Sequence, residues 1–376
     1  MLYVYGVTFD HTTNYGSCLQ AYALQHAIEA MEIDGQKCSY QLIPYSAFPR
    51  ESVHQGSIIT KGKRFLKGSI TKYRRSRFIG FENKYMHYAD CYSEDELKEL
   101  NREADAFVCG SDVIWNLNFT QGKDYYFLGF ADRYKFSYAA SFGVTDIHHD
   151  YDKIDFDPAE MFRKSLPALN RIGVREKKGV EIVRSIIGRD AEQVCDPVIL
   201  LTREQWDGVA AKKKKRKPYI FAYSTYTSPN YMTFLNKLRK QTGLPVIHVT
   251  WDIKSSITKG AAAFPTPEEW ICLLRDAEYV VTNSFHGSAF CALYHKTFYC
   301  AMRDGQVLGT RIRLYDFLDD MGLRSRIFGN TPEIIDTTVP DFTETDKAIA
   351  AIREKSTVFL RENLEAAAHE RRDCGN

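Results

Sequence analysis

The sequence predicts an α/β fold built as two domains. Strand-like apolar runs alternate with helical patterns along most of the 376 residues, as they do where helices connect the strands of a parallel sheet. A chain of this length exceeds one ordinary hydrophobic core, so two domains are expected. The six consecutive Lys and Arg at 212–217 cannot pack in a core, and a proline follows them. They predict a solvated linker between the domains rather than a nucleic-acid patch.

The first domain is predicted over residues 1–210. Short β-branched or aromatic runs bounded by polar, Gly or Pro residues predict strands, and apolar residues recurring at i, i+3 and i+4 predict helices. On these criteria the domain has strands at 2–9, 106–109, 135–140, 171–174 and 192–194, and helices at 19–31 and 178–187. Strands and helices therefore alternate as in a doubly wound sheet.

The second domain is predicted over residues 218–340, directly after the basic run. By the same criteria it has strands at 219–223, 245–249 and 277–281, and helices at 230–241, 267–276 and 289–294. A long amphipathic helix at 346–370 is predicted to cross back onto the first domain. No sequence repeat relates the two halves, although their architectures are alike.

Composition excludes several classes of protein. A net charge of +2 gives no general attraction to nucleic acid. No apolar run reaches the ~20 residues of a membrane-spanning helix. The first seven residues predict a strand rather than a signal peptide, because they lack a basic flank and a cleavage pattern. Nine scattered cysteines without a Cys-x-x-Cys pair predict reduced thiols and no metal site, hence a cytoplasmic protein.

A basic segment stands out at 61–78, where eight Lys or Arg are interleaved with apolar and aromatic residues. Such a segment can rest on an anionic membrane surface, as a peripheral contact at the inner face of the membrane. A solvated excursion without a partner is slightly favoured over this contact. Gly62 and Gly68 count against a continuous helix here.

The strongest candidate for a functional site directly follows the apolar run 277–281. Its residues are Thr282, Asn283, Ser284, His286 and Gly287. The small polar residues are expected to cap a helix and to leave its first amides free for an anion. In open α/β sheets, ligands bind at the carboxyl ends of the strands. A functional His286 is therefore favoured over a core histidine satisfied by backbone groups.

Two loops of the first domain are further candidates. In the loop at 12–17, Gly16 permits a close backbone approach, and Ser17 can cap a helix whose amides face a phosphate or a sugar. After the strand at 106–109, Asp112 and Trp115 offer an acidic group and an aromatic ring to a sugar. The alternative for each loop is plain helix or turn capping.

Arg175 directly follows another predicted strand. Arginine binds phosphate or carboxylate through two parallel hydrogen bonds, and the alternative is a salt bridge with Glu176 or Asp196. Asp196 precedes a proline, which favours a turn-forming role. Asp157 belongs to an Asp-x-Asp triplet but also precedes a proline, so a helix cap is favoured over a metal ligand.

Six segments together resemble the polysaccharide pyruvyl transferase family. They lie at 14–24, 110–116, 141–143, 174–179, 194–201 and 282–287, and so span most of the chain. The resemblance implies two Rossmann-like domains facing a cleft, similar to the GT-B glycosyltransferases. It also implies transfer of a pyruvyl group from phosphoenolpyruvate to two hydroxyls of a sugar, giving a cyclic ketal and phosphate without a metal or cofactor. The acceptor is a sugar of an envelope or exopolysaccharide, or a lipid-linked oligosaccharide precursor.

The resemblance also implies roles for individual residues. His286 is expected to act as acid/base or phosphate contact, and Asp112 to deprotonate a sugar hydroxyl. Family members often carry an arginine two residues before the histidine, where this chain has Ser284. Arg303, Arg311 or Arg313 is expected to supply the missing cation. The expected donor-binding residues are Arg175, Asn283, Ser284, Gly287 and Arg311. The expected acceptor-binding residues are Asn14, Tyr15, Gly16, Ser17 and Trp115.

Two other functions fit the same pattern. One is a GT-B glycosyltransferase that uses a nucleotide sugar, with Glu268 or Glu269 holding the ribose. The other is a non-catalytic, glycan-binding component of polysaccharide assembly, in which Ser284 marks lost donor binding. His286 and Arg175 favour the transferase over this binding protein.

Overall fold

The computed structural model describes residues 1–10, 12–44, 61–91, 93–212, 216–250, 264–301 and 309–374, with backbone only for 61–70, 309–312 and 373–374. Two sheets organise these residues into a first and a second lobe. Between the last strand of the first sheet and the first strand of the second lies the basic run, of which residues 213–215 fall outside the described residues.

The first lobe is built on a seven-stranded sheet in the order β2-β3-β1-β4-β5-β6-β7. All pairs are parallel except β2 with β3. The strands are β1 (Leu2–Val7), β2 (Glu32–Ile33), β3 (Gln36–Leu42), β4 (Ala106–Cys109), β5 (Tyr134–Ala140), β6 (Arg171–Val174) and β7 (Glu192–Gln193). The hairpin of β2 and β3 was not predicted from the sequence; it carries polar residues at alternate positions.

Several helices of the first lobe begin or end at recognisable caps. The helices are α1 (Tyr15–Glu29), α2 (Lys61–Tyr85), α3 (Glu94–Glu103), α4 (Leu117–Thr120), α5 (Pro158–Ser165), α6 (Lys177–Ile187), α7 (Pro197–Leu200) and α8 (Arg203–Val209). Asp157 caps α5 by accepting a 2.8 Å hydrogen bond from the Ala159 amide. α6 ends at Gly188, whose φ of 66° lies in the left-handed region that glycine adopts readily.

The second lobe has a five-stranded, fully parallel sheet in the order β12-β11-β10-β8-β9. Its strands are β8 (Ile220–Ser224), β9 (Val246–Thr250), β10 (Tyr279–Thr282), β11 (Thr297–Ala301) and β12 (Ile327–Phe328). Its helices are α9 (Pro229–Thr242), α10 (Pro267–Arg275), α11 (Phe285–Leu293) and α12 (Gly309–Asp320).

The last helix, α13 (Thr343–Cys374), packs on the sheet of the first lobe. The Ser356 hydroxyl accepts a 2.8 Å hydrogen bond from the Cys195 amide. Farther along α13, the Asn363 side-chain oxygen accepts a 3.1 Å hydrogen bond from the Tyr134 hydroxyl on β5. A helix that follows the second sheet in sequence thus contributes to the core of the first.

The lobes meet through an aromatic contact that fixes α1 against the second lobe. The ring of Tyr15 stacks on that of Trp270 at 5.5 Å between centroids, and Trp206 lies edge-on to Phe290 at 4.8 Å. All four side chains are fully buried, so the lobes share one apolar core here. Two mostly parallel sheets with helices between the strands confirm the predicted fold class, two Rossmann-like lobes in a GT-B-like arrangement.

The basic segment forms part of one continuous helix, α2, contrary to expectation. Gly62 and Gly68 fall inside it, and each costs about 1 kcal/mol relative to alanine, which a 25-residue helix tolerates. Phe78 and Phe81 are fully buried and anchor its second half. Tertiary packing therefore overrides the local preference against a helix.

Candidate functional site

A cavity of about 510 Å³ opens between the two lobes. Its lining combines polar, charged and aromatic side chains from both. They are Phe9, Asp10, Thr12, Asn14, Ser17, Asp112, Val113, Phe119, Arg175, Thr225, Asn283, Ser284, Phe285, His286 and Arg313. A volume of this size is typical of a small-molecule site.

Sheet topology explains why these residues converge. The chain leaves β1 and β4 toward opposite edges of the first sheet, and it leaves β8 and β10 toward opposite edges of the second. Between two adjacent strands that the chain leaves in opposite directions, a crevice opens beyond the carboxyl ends. The loops after β1, β4, β8 and β10 all reach the cavity.

His286 sits in the first turn of α11. Ser284 is the N-cap, and its hydroxyl accepts a 3.3 Å hydrogen bond from the Gly287 amide. The helix therefore begins at Phe285, four residues before the predicted start, because the cap lies within the motif. His286 lines the cavity but is only 6% exposed. This burial shields its imidazole from bulk water.

Asp196 links Arg175 and His286, although the sequence predicted only a turn-forming role for it. It does cap α7, accepting a 3.0 Å hydrogen bond from the Val198 amide. Its other oxygen, Oδ2, lies 3.3 Å from His286 Nε2, an ion-pair distance without hydrogen-bond alignment, and accepts a 2.9 Å hydrogen bond from Arg175 Nη1. Burial alone would raise the pKa of Asp196, but the neighbouring His286 and Arg175 hold it well below its usual value.

Arg175 is held on three sides. Its Nε donates to Glu176 at 3.0 Å, its Nη1 donates to Asp196, and its guanidinium lies 4.4 Å from the centre of the Phe285 ring. Both salt bridges weighed as an alternative to anion binding are therefore present. Burial lowers the pKa of Arg175, but the carboxylates of Glu176 and Asp196 raise it further, so the guanidinium stays charged. Its Nη2 is buried with no hydrogen-bond partner among the described residues.

Arg313 is the first residue of α12 whose side chain the structure describes, and it supplies the second guanidinium of the cavity. Its Nε is also buried without a hydrogen-bond partner in the described part of the chain. Burial and then the positive charge of Arg175 lower its pKa. Of the three arginines named to replace the missing cation, Arg303 and the side chain of Arg311 lie outside the described residues. The structure thus brings Arg313 to the cavity.

Gly16 makes the close approach of α1 to His286 feasible. A Cβ built on Gly16 would lie 2.1 Å from His286 Nδ1, closer than any real contact. Asn14 caps α1 by accepting a 2.9 Å hydrogen bond from the Gly16 amide. The N-terminus of a first-lobe helix therefore faces the histidine of the second lobe.

Asp112 and Ser17 form a pair on the first-lobe side of the cavity. The Ser17 hydroxyl donates to Asp112 Oδ2 at 2.5 Å, and the Val113 amide donates to Oδ1 at 2.8 Å. Asp112 is 6% exposed, and its φ of 66° lies in the left-handed region. Both oxygens of this carboxylate are thus oriented by the protein.

Tyr15 and Trp115 do not reach the cavity, which corrects their assignment to acceptor binding. Tyr15 is fully buried between the lobes, and its hydroxyl donates to the Pro265 carbonyl at 2.8 Å. Trp115 is also fully buried and donates to the Tyr126 carbonyl at 3.2 Å. Both are core residues, since an apolar ring beside a polar loop packs inward unless a ligand site needs it.

Asn283 and Gly287 stabilise the backbone around the site. The Asn283 side-chain oxygen accepts a hydrogen bond from the Thr225 amide at 2.9 Å, and its side-chain nitrogen donates one to the Tyr226 carbonyl at 2.7 Å. Asn283 therefore holds the loop after β8 in place. A Cβ on Gly287 would meet Thr282 Oγ1 at 2.5 Å. Their expected donor contacts stay predictions.

Within the described residues, no group of three or more His, Cys, Asp or Glu has the arrangement of a metal site. None of the helices in the described ranges is long and apolar enough to cross a bilayer.

A family model for polysaccharide pyruvyl transferases matches residues 14–304. No curated protein sequence matches the chain significantly. Three solved structures are similar to this chain over most of its length; the values in parentheses are the sequence identity and the covered share of this chain and of that chain. MnaA of S. aureus with UDP has a TM-score of 0.49 (10%; 98% and 91%), and the wall teichoic acid polymerase TagF has 0.46 (12%; 97% and 82%). UDP-GlcNAc 2-epimerase of Neisseria meningitidis bound to UDP-GlcNAc has 0.44 (9%; 98% and 98%). Because the family model covers most of the chain, the protein belongs to the polysaccharide pyruvyl transferase family.

Proposed function

We propose that this protein transfers a pyruvyl group from phosphoenolpyruvate to two hydroxyls of one sugar, in an envelope or exopolysaccharide or its precursor. The products are a cyclic ketal and phosphate. The observation that supports this most is the pair of guanidiniums, Arg175 and Arg313, each with a buried N–H that lacks a partner among the described residues. Both line the cavity that contains His286. An unpaired buried donor is costly, and an anionic ligand would satisfy both.

The donor carries two anionic groups, a phosphate and a carboxylate. In the proposal Arg175 and Arg313 bind these groups, and the first amides of α11 contribute partial positive charge. Arg313 takes the place of the arginine that the family often carries where this chain has Ser284. Asp196 and Glu176 keep Arg175 in position while its Nη2 stays available.

The reaction needs one proton delivered to carbon and two C–O bonds formed. The methylene carbon of the enol phosphate takes a proton and becomes a methyl group, which leaves an oxocarbenium-like centre at the neighbouring carbon. One sugar hydroxyl attacks this centre, the C–O bond to phosphate breaks, and the second hydroxyl closes the ketal. Of the two hydroxyl protons, one balances the new methyl group and the other leaves with phosphate.

His286 and Asp112 are the proposed proton-transfer groups. Histidine exchanges protons near neutral pH, and here Asp196 holds its ring from the Nε2 side. Asp112 faces the cavity from the opposite lobe and is proposed to accept a proton from a sugar hydroxyl. Ser17 and the Val113 amide orient its two oxygens. No cofactor has a role in the proposal.

The nucleotide-sugar alternative depended on a glutamate for the ribose. Neither Glu268 nor Glu269 is among the described residues that line the cavity. Glu269 is bound to Arg77 at 2.7 Å and also accepts from the Thr266 amide at 3.0 Å. These contacts favour phosphoenolpyruvate over a nucleotide sugar as the donor.

A peripheral membrane contact through residues 61–78 also stays a proposal. Lys72 and Tyr73 on the described part of α2 are exposed, whereas Arg77 is turned inward to Glu269. Sedimentation with anionic and with zwitterionic vesicles tests this contact. Binding to anionic vesicles alone supports it, and binding to neither contradicts it.

The test of the function compares donors by thermal shift and then measures phosphate release. Phosphoenolpyruvate should raise the Tm, and UDP-sugars should not, because only a true ligand stabilises the folded state by mass action. A ligand at a hundredfold excess over its Kd stabilises by about 2.7 kcal/mol. Stabilisation by UDP-sugars without stabilisation by phosphoenolpyruvate would overturn the proposal.

A further inference from the structure

His286 presents its two ring nitrogens to different surroundings. Nε2 lies 3.3 Å from Asp196 Oδ2, so no ligand atom fits between them. His286 lines the interlobe cavity of about 510 Å³, whereas Asp196 is not among the described residues that line it. Asp196 lines a separate cavity of about 40 Å³ instead, which has room for only a few water molecules. The Nε2 edge of the imidazole is therefore turned away from the space that the donor can occupy.

The Nδ1 edge of the same ring lies against the first turn of α1. An ideal Cβ on Gly16 would be 2.1 Å from Nδ1, 2.5 Å from Cγ and 2.9 Å from Cε1. Because it would be almost as close to both carbons as to the nitrogen, Gly16 packs over the face of the ring. The lone pair or proton of Nδ1 lies in the plane of the ring, so Gly16 does not cover it. Asn14 and Ser17, which flank Gly16 in this turn, both line the interlobe cavity. Nδ1 is thus the nitrogen on the cavity side.

Asp196 is itself held in a fixed position. Its Oδ1 accepts a 3.0 Å hydrogen bond from the Val198 amide, and its Oδ2 accepts one of 2.9 Å from Arg175 Nη1. Its side chain is only 1% exposed. A fixed carboxylate favours a proton on the imidazole nitrogen that faces it, by its charge even without hydrogen-bond alignment. The other nitrogen is then the one that gains and loses a proton.

We infer that Nδ1 is the atom of His286 that exchanges a proton with the donor, and that Asp196 is a positioning residue that keeps Nε2 protonated. The Nδ1–H bond breaks, and the π electrons of the donor's double bond form the new C–H bond at the methylene carbon. The electron pair of the broken bond stays on Nδ1, which later takes up a proton from a sugar hydroxyl. This inference rests on the proposed function, and it adds the reacting atom and the role of Asp196.

The first experiment follows the imidazole nitrogens of the full-length protein by NMR, with ¹⁵N-labelled histidine. Phosphoenolpyruvate alone is the probe, since no turnover occurs without an acceptor. The signals of His286 are those missing from both His286→Asn and His286→Gln. We expect phosphoenolpyruvate to move the Nδ1 resonance at least about twice as far as the Nε2 resonance, because the field of the bound anion falls with distance. A larger change at Nε2 than at Nδ1 would overturn the inference.

The second experiment tests the positioning role with Asp196→Asn. An amide can turn either its oxygen or its nitrogen toward Nε2, so the variant no longer selects one orientation of the ring. We expect the change caused by phosphoenolpyruvate to be divided between both nitrogens of His286. Asp190→Asn, which removes an exposed carboxylate, is the matched control and should keep the wild-type pattern. If Asp196→Asn also kept the wild-type pattern, Asp196 would not position the ring.

Thermal shift with phosphoenolpyruvate separates a failure of this inference from a failure of the proposed function. If phosphoenolpyruvate does not raise the Tm of the wild type, the function itself is rejected, and the inference with it. If the Tm rises while Nε2 shows the larger change, only the assignment of Nδ1 is rejected.

Discussion

Gly16 and His286 touch across the boundary between the two lobes. The imidazole lies where a side chain at position 16 would stand, with 2.1 Å between Nδ1 and an ideal Cβ. Gly16 has an ordinary helical backbone, so its requirement for glycine comes from space and not from φ. The position of the proposed acid/base thus depends on the absence of one methyl group in the other lobe.

Gly16→Ala should therefore displace the imidazole while leaving the fold intact. Alanine favours a helix by about 1 kcal/mol over glycine, which offsets part of the local crowding. A shift of about 1 Å at a reacting group lowers the rate by up to about a hundredfold. Phosphate release should fall accordingly, whereas Gly80→Ala, on α2 with open space around it, should behave like the wild type. Equal rates for the two variants would show that Gly16 does not position His286.

Arg313→Met should weaken phosphoenolpyruvate binding without destabilising the free protein. Losing a hydrogen bond to a charged group costs about 1.5–3 kcal/mol, which is about a ten- to hundredfold rise in KM. Burial and Arg175 already disfavour the charge of Arg313, so its removal should not lower the Tm of the free protein. Arg324→Met, an exposed arginine of the same lobe, is the matched control for both measurements. An unchanged KM would remove Arg313 from the donor site.

Asp196→Asn should reduce the decrease in Tm that the protein shows at acid pH. The folded pKa of Asp196 lies below its usual value of 3.8, so this carboxylate stabilises the protein above that pH. The stabilisation is lost as the pH falls below about 4 and Asp196 takes up a proton. Tm measured from neutral to acid pH should fall more steeply for the wild type than for the variant. Asp190→Asn, at an exposed site, should keep the wild-type dependence of Tm on pH. If Tm of Asp196→Asn also fell as steeply as that of the wild type, the pairing of Asp196 with His286 and Arg175 would be contradicted.

His286→Ala should lower kcat/KM by about two orders of magnitude or more if the imidazole transfers a proton. Donor affinity should change less, because Arg175 and Arg313 remain. Phosphate release and the thermal shift with phosphoenolpyruvate measure the two effects separately. A folded variant with the wild-type rate would exclude His286 from the chemistry.

The sequence predicted the helices and strands whose apolar residues recur at a regular spacing, and it predicted the loops that follow them. Strand β6 has the predicted bounds, and the α/β class follows from the alternation of elements. His286, Arg175 and Asp112 were singled out because polar residues at strand ends carry local signals. All three line one cavity.

The remaining features depend on contacts between residues far apart in sequence. Asp196 lies 90 positions before His286, and only the fold brings their side chains within 3.3 Å. Arg313 was one of three candidates, and nothing local distinguishes it from Arg311. Tyr15 resembled a loop residue, but the stacking partner that buries it, Trp270, belongs to the other lobe. Long-range pairs of this kind leave no periodic trace in one sequence.

A structure of the protein with phosphoenolpyruvate bound tests the central claim most directly. The account predicts the ligand beside His286, with the guanidiniums of Arg175 and Arg313 on its phosphate and carboxylate. A donor bound elsewhere, or held in the cavity with neither guanidinium within hydrogen-bond distance, would contradict it.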